Sequence, residues 1–441
     1  MSHTRRAFLH QAAAVAASAQ SSASLSGGNS NGVELVSCPD GTQQIRLRKD
    51  GGHHVAEGEW LSPTMPLRPS SRLRWTPRWV TPQKYKKYAA NPVYGPDQSG
   101  AWDTWTNGVG ILRTTDRKRY RMYYCDRTNG IGFAEASVER PTEWKEHPSS
   151  PVLRPKGEPH WEGGRLNQPR LAKVTDTHWR MYYTGWGQGF WRMGLAESFD
   201  EGITWKRHSE GPLLPLGAAG SGDSEAACVP MVIRVDGQWK MWYTASGNRQ
   251  NAIGIAHATS TDGIHWEKYP GGHVMPVIKS SKWETGVVSR PYVMHADGVY
   301  KMWYSMRGPT YRVGYAESPD GIHWERSPAN PILDVSAKGW DEQMVEYPEI
   351  DIHNGIYRMW FCGNGFGTVG YSEGEAETKL EISVRTGNAP EPGAGWSAWS
   401  SPLRQPSGDL IRGKGKFLQV RAKLTTSNPK LSPGLAGVSV V

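Results

Sequence analysis

Five short windows hold the residues best equipped for chemistry. The richest is Glu346-Tyr347-Pro348-Glu349; the others contain Arg290, Glu225, Asn167 with Arg170, and Asp103 with Trp105. In four of the five, a proline marks the same point of a predicted strand: Pro169, Pro230, Pro291 and Pro348. Two carboxyl groups facing a desolvated channel can divide acid and base work. One, kept protonated by its surroundings, gives a proton to a leaving oxygen, and the other activates water. An arginine between them clamps a carboxylate or sulfate. On this reading Glu346 and Glu225 are catalytic candidates. Arg290, Arg170, Asn167, Glu349, Trp105 and Tyr347 are candidates for binding substrate. No H-E-x-x-H or C-x-x-C pattern is present, so no metal site is assigned. No cofactor is expected, and a structural Ca²⁺ in the channel is left open.

The windows recur because the chain does. Tyr120-Arg121-Met122-Tyr123-Tyr124, Trp179-Arg180-Met181-Tyr182-Tyr183, Trp239-Lys240-Met241-Trp242-Tyr243, Tyr300-Lys301-Met302-Trp303-Tyr304 and Tyr357-Arg358-Met359-Trp360-Phe361 are five versions of one strand. They return roughly every 60 residues, and a fixed period of this order signals blades or coils. Each copy adds a preceding strand, Pro-bearing in all but the first, and a following Gly-x-Ala strand such as Gly194-Leu195-Ala196. A Trp-containing strand completes it. Four strands per repeat predict an all-β, five-bladed β-propeller. The fifth copy lacks its last strand, and Lys86-Lys87-Tyr88-Ala89-Ala90-Asn91-Pro92-Val93 resembles the end of the fourth. The upstream segment is therefore expected to close the ring, with the propeller over 84–375.

What all copies share reads as scaffold. Ser198-Phe199-Asp200-Glu201-Gly202-Ile203-Thr204-Trp205 fits the Asp-box, and shorter versions run Ser260–Trp266 and Ser318–Trp324. Asp and Gly shape that turn and Trp plugs the blade, so its aspartates receive no catalytic role. An acid ahead of each inner strand (Asp103, Glu162, Asp223, Glu284, Asp341) also recurs and reads first as a turn or inter-blade contact.

Outside the ring, Leu380-Glu381-Ile382-Ser383-Val384-Arg385, Trp396-Ser397-Ala398-Trp399-Ser400 and Phe417-Leu418-Gln419-Val420-Arg421-Ala422 resemble a β-sandwich module of exported bacterial proteins. Glu59-Trp60-Leu61-Ser62-Pro63 and Leu73-Arg74-Trp75 match that module's opening. The expectation is a sandwich split between 33–83 and 376–441, with the propeller inserted; a separate, truncated C-terminal sandwich is the alternative.

The five-bladed plan and Glu346-Tyr347-Pro348 resemble the glycoside hydrolase superfamily of furanosidase-type propellers (families 32, 43, 62, 68 and 117). The segment from Ser289 to Tyr371 also resembles uncharacterised bacterial glycosidase-like propellers. The resemblance implies that Glu346, two residues before a strand Pro, is the general acid. It also implies an aspartate base near the first strand, for which Asp103 is the candidate. The implied function is hydrolysis of O-glycosyl bonds in a polysaccharide or oligosaccharide, neutral or anionic. The alternatives are a non-catalytic glycan-binding propeller and a sialidase-like enzyme.

Bulk properties fit this picture. The chain has 441 residues, 37% hydrophobic, with 21 Trp and 18 Tyr against 7 Phe. Its mean hydropathy is −0.61, and no apolar run approaches the ~20 residues of a membrane helix. The net charge of +9 favours an anionic partner, but no nucleic-acid motif accompanies it, so neither nucleic acid nor membrane is an expected partner. Thr4-Arg5-Arg6-Ala7-Phe8-Leu9 looks like a twin-arginine export signal, with Ala17-Ser18-Ala19 as cleavage site and linker to residue 32. A periplasmic or extracellular location is expected. The four cysteines are expected to form no disulfide, because Cys125 and Cys362 occupy equivalent places in different repeats.

Overall fold

A computed structural model describes residues 21–22, 24–37, 43–78, 84–96, 103, 105–126, 130–247, 253–296, 298–403, 408–429 and 431–441. The export segment at 4–19 and Cys38 lie outside the described residues.

Among the described residues, five four-stranded antiparallel units form the propeller. Blade one comprises Asn107–Arg113, Arg119–Asp126, Gly130–Ser137 and Lys145–Glu146. Blades two, three and four begin with Arg165–Lys173, Ala226–Val235 and Val287–Ala296. Blade five holds Glu346–His353, Ile356–Cys362 and Val369–Gly374, and its outer strand is the upstream Lys86–Lys87, pairing Lys86 with Glu373 and Lys87 with Ser372. The five inner strands pack side by side, and blade one's also contacts blade five's.

The repeated strand divides its labour by position. Its methionines are fully buried within the blades. The next aromatic reaches the following blade: Tyr123 and Tyr182 donate to the Gly202 and Gly263 carbonyls at 2.5 and 2.9 Å, and Trp242 to Gly321 at 2.8 Å. Each of these carbonyls belongs to an Asp-box glycine, so the box fastens blade to blade. Its aspartate is engaged locally. Asp320 accepts the amides of Ile322 and His323 at 2.8 and 2.9 Å. Burial opposes its charge, yet those donors hold its carboxyl down to about 2. The last aromatic is usually Tyr, and a glycine makes room for it: a Cβ on Gly194 or Gly314 would meet the Tyr183 or Tyr304 ring at 2.3 or 2.6 Å.

That tyrosine explains the recurring acids. Tyr183 donates to Glu162 at 2.6 Å, Tyr243 to Asp223 at 3.2 Å and Tyr304 to Glu284 at 2.5 Å. A cation of the outer strand completes each set: Arg207, Lys268 and Arg326, with Lys87 on Asp341 in blade five. The acid thus ties the entry loop of its own blade to the second and fourth strands, rather than to a neighbouring blade.

Two sheets flank the ring. In one, Val33–Ser37, Gln43–Leu47, Gly434–Val440 and Arg72–Arg78 pair in that order. In the other, Asn29–Asn31, Glu57–Leu61, Phe417–Thr426 and Thr378–Gly387 do. Strands from before and after the propeller pair with each other in both, around one core that includes Trp60, Leu73, Ile382, Leu418 and Leu435. Arg46 meets Glu325 of blade four at 2.9 Å.

Candidate functional site

Every inner strand breaks its ladder at the same place. Register shifts fall at Asn107/Gly110, Asn167/Arg170, Cys228/Met231, Ser289/Tyr292 and Glu346/Glu349. The second residue of each break has positive φ: Gly108 (56°), Gln168 (44°), Val229 (50°), Arg290 (53°) and Tyr347 (57°). Such backbone is strained for any side chain, and most of all for a β-branched valine. It persists because each of these N–H groups is captured by the second strand of the preceding blade. Val229, Arg290 and Tyr347 donate to Thr184, Thr244 and Ser305 at 2.8, 2.9 and 3.1 Å. The thiols of Cys125 and Cys362 fill the same role towards Gln168 and Gly108.

Two cysteines therefore stand where the other blades use hydroxyls. Both are free and buried, as is Cys228, and burial pushes the Cys125 and Cys362 thiols up to about 12. Cys125→Ser should keep the acceptor and shift Tm by no more than a few degrees. Cys125→Val should remove it and destabilise by roughly 1–2 kcal/mol. Urea unfolding of the two variants separates an acceptor role from simple filling.

The bulge turns the left-handed residues towards one end of the ring, where they line a cavity of about 290 Å³. Gln168, Val229, Arg290 and Tyr347 line it, as do Asn107, Asn167, Cys228 and Ser289 from the position before. Trp105, Phe366, Tyr311 and Trp191 form an aromatic rim. Phe366 meets Trp105, Tyr347 and Tyr311 edge-on at 6.2, 6.0 and 6.4 Å between ring centres, and Trp105 donates to the Gly365 carbonyl at 2.9 Å. Gln168 donates to the Tyr347 hydroxyl at 2.8 Å across the mouth. Half-buried rings at the edge of a cavity suit the apolar faces of sugars.

Glu346 lies behind this lining and is fully buried. Arg290 covers it, with Nη1 3.1 Å from Oε2. Neither carboxylate oxygen accepts a hydrogen bond from a described donor. Burial raises the Glu346 carboxyl to about 7, against the pull of Arg290 and Arg307. Arg290 loses by burial too, but Glu346 beside it holds the guanidinium well above its usual value. Its planar group lies 4.6 Å from the Tyr347 ring centre and 5.0 Å from that of Tyr311.

Three sequence expectations need correction. Arg170 and Glu349 do not face the mouth. They are buried and ion-paired to each other, with Arg170 also donating to the Val109 carbonyl at 3.1 Å and Glu349 accepting the Ile111 amide at 3.1 Å. The pair forms across blade one because Gly110 stands at the matching position there: a Cβ on it would meet the Pro169 carbonyl at 2.0 Å. Asp103 is buried and belongs to the scaffold series of entry-loop acids. It acts on Tyr124, whose hydroxyl is driven upward by burial first, then Tyr94, with Asp103 adding. Glu225 is half-buried beside Ala226, which lines the cavity; its Oε2 has no described hydrogen-bond partner. Asn167 is buried, lines the cavity and accepts from the Cys125 thiol at 3.2 Å.

The rim residues Trp191, Tyr311 and Phe366, and Arg165 beside Trp191, were missed as site residues. They sit in or beside the hairpins joining second and third strands, where the copies differ most; comparing those hairpins would have exposed them. Among the described residues, no group of three His, Cys, Asp or Glu side chains could hold a metal ion.

No model of a known protein family matches this chain. An uncharacterised protein of Mycobacterium tuberculosis (strain H37Rv) is 32% identical over 292 residues, covering 63% of this chain and 95% of that protein. Among solved structures, a glycosyl hydrolase from Bacteroides ovatus superposes with a TM-score of 0.54 at 17% identity, covering 67% of this chain and 94% of that one. A structure from work on the GH130 family of mannoside phosphorylases, said to contain glycoside hydrolases that target β-1,2-mannosidic linkages in Candida mannan, gives 0.53 at 17% identity, covering 67% and 95%. At these identities the likeness is one of fold: the chain carries the propeller fold found among glycoside hydrolases.

Proposed function

This chain belongs to the family of the M. tuberculosis protein it matches, and we propose that it is an exported enzyme cleaving glycosidic bonds in the propeller mouth. The observation that carries the reading is Glu346: a carboxyl group fully buried, without a hydrogen-bond donor, behind a cavity rimmed by aromatic rings. Such a group holds its proton near neutral pH and is suited to donate it. With Arg290 moved from over it, Glu346 passes its proton to the leaving oxygen as the anomeric C–O bond breaks. Water adds to the anomeric carbon, and its proton goes to Glu225, which precedes the cavity-lining Ala226. Solvent exchange returns both groups to their starting states.

The test is a panel of polysaccharides and oligosaccharides, assayed for new reducing ends with and without inorganic phosphate. Hydrolysis needs no phosphate, whereas phosphorolysis requires it and releases a sugar phosphate. Rates should fall as pH rises above about 7, because the acid then loses its proton. A profile still rising at pH 9 would remove Glu346 from the role.

The second reading is a glycan-binding propeller without turnover. The ion pair between Arg290 and Glu346 favours it, since the guanidinium lies over the carboxyl and keeps it from the cavity. Saturable binding on the same panel with no new reducing ends would establish it.

A further inference from the structure

The charged groups that line the mouth cavity are Arg165 and Arg290, and no described carboxylate lines it. Each arginine lies against rings. Arg165 is 5.5 Å from the Trp191 ring centre and 5.9 Å from that of Trp186, and it makes no ion pair among the described residues. Arg290 lies on Tyr311 and Tyr347; its Nη1 donates to the Ser289 hydroxyl at 2.8 Å, and its buried Nε has no described acceptor. Stacking fixes the plane of a guanidinium and leaves its N–H edge for an in-plane acceptor, the geometry that oxyanions fit. The tie between Arg290 and Glu346 rests on charge alone, because neither Glu346 oxygen accepts a hydrogen bond. A ligand oxyanion that supplies hydrogen bonds to Arg290 can compete for it.

We propose that the cavity takes an anionic sugar unit, carboxylated or sulfated, whose acid group docks on Arg290 and draws it away from Glu346. The inference rests on the reading of this mouth as a carbohydrate site, and it turns the ion pair from an obstacle into a gate. With a neutral sugar bound, Arg290 stays on Glu346 and keeps its carboxyl near 7, mostly charged at pH 7.5. With an anionic sugar bound, Glu346 loses its cation in a buried place and takes up a proton. The titratable and charged groups facing Glu346 are Arg290 and Arg307 of blade four and Tyr347 and Cys362 of its own blade. Burial raises Tyr347 and Cys362 far from neutrality, so Glu346 is the member of this set able to bind that proton. The net charge of +9 gives such ligands a favourable field.

Calorimetric titration of the intact protein tests this with matched ligands: a uronate oligosaccharide, its carboxyl-reduced neutral counterpart, and an O-sulfated oligosaccharide of the same length. At constant ionic strength, at least one anionic ligand should bind about 10-fold or more tightly than the neutral one. Its binding should take up protons near pH 7.5, read from the dependence of the heat on buffer ionisation enthalpy. The arm that binds tells carboxylate from sulfate. Glu346→Gln should abolish proton uptake but keep the anionic preference, and Arg165→Met should weaken the anionic ligand while leaving uptake in place. Equal affinity for neutral and anionic ligands, or tight anionic binding without proton uptake, overturns the proposal, and neither measurement needs a variant to fold. Turnover of neutral glycans alone would sink it while leaving the enzymatic reading standing. Anionic binding with proton uptake but no turnover would support it and end the enzymatic reading.

Discussion

Glu346→Gln is expected to lower turnover by about 10²–10⁴-fold, the usual range for removing a general acid, while shifting Tm by no more than a few degrees. Gln has the shape of the protonated acid but no proton to give. The stability effect is small because Glu346 accepts no hydrogen bond that the amide would lose. Its sign depends on pH. The carboxyl has its proton held more tightly in the folded protein (about 7, against an ordinary 4.5) than in the unfolded chain. The folded state therefore binds more protons between these values, and wild-type stability falls as pH rises from about 4.5 to about 7. The amide variant lacks this titration. Its melting temperature should gain on wild type across that window, and turnover should fall at every pH. Unchanged turnover on a cleaved glycan would remove Glu346 from catalysis. A collapsed Tm with unchanged residual chemistry would make it structural.

The largest stability effect belongs to Arg170 and Glu349. Both side chains are about 3% exposed, and each also satisfies blade one's backbone. Removing one member leaves a buried charge without its partner. Arg170→Met or Glu349→Gln should each destabilise by about 3–5 kcal/mol. The double variant should recover at least half of that loss, because the orphaned charge disappears and Gln can still accept the Ile111 amide. Urea unfolding of the four proteins forms a double-mutant cycle, and losses that simply add would show that the two residues do not act as a pair. The contact joins blades two and five over blade one, at the seam where the ring closes. Its loss should also make unfolding less cooperative, visible as a lower dependence on urea.

How the site residues divide between foreseen and unforeseen follows from one backbone feature. The proline column located the right point of four inner strands, and the residue before it, Tyr347 or Arg290, does line the mouth. Alternation along a regular strand would put the residue two places on at the same face, which is why Glu349 and Arg170 looked like ligands. The bulge inserts one residue with left-handed φ and reverses that parity, so those two turn inward and meet. Nothing in the sequence marks the reversal, because only Gly108 among the five left-handed residues is a glycine. Trp191, Tyr311 and Phe366 were hidden differently: an alignment built on shared strands discards the hairpins where the copies diverge.

The architecture is legible in the order of residues, because a strand buried on both faces constrains every position and repeats that constraint five times. Met between aromatics, an Asp-box after a Gly strand and an acid before the inner strand each solve a packing problem posed within a blade or between neighbours. Which charges face the mouth and which neutralise each other follows from long-range packing. Arg170 with Glu349 lies 179 residues apart in sequence and Arg290 with Glu346 lies 56 apart, and no local pattern encodes either pairing. Ring closure brings the strands together, and the bulge then sets which side chain turns to water and which is sealed beneath it.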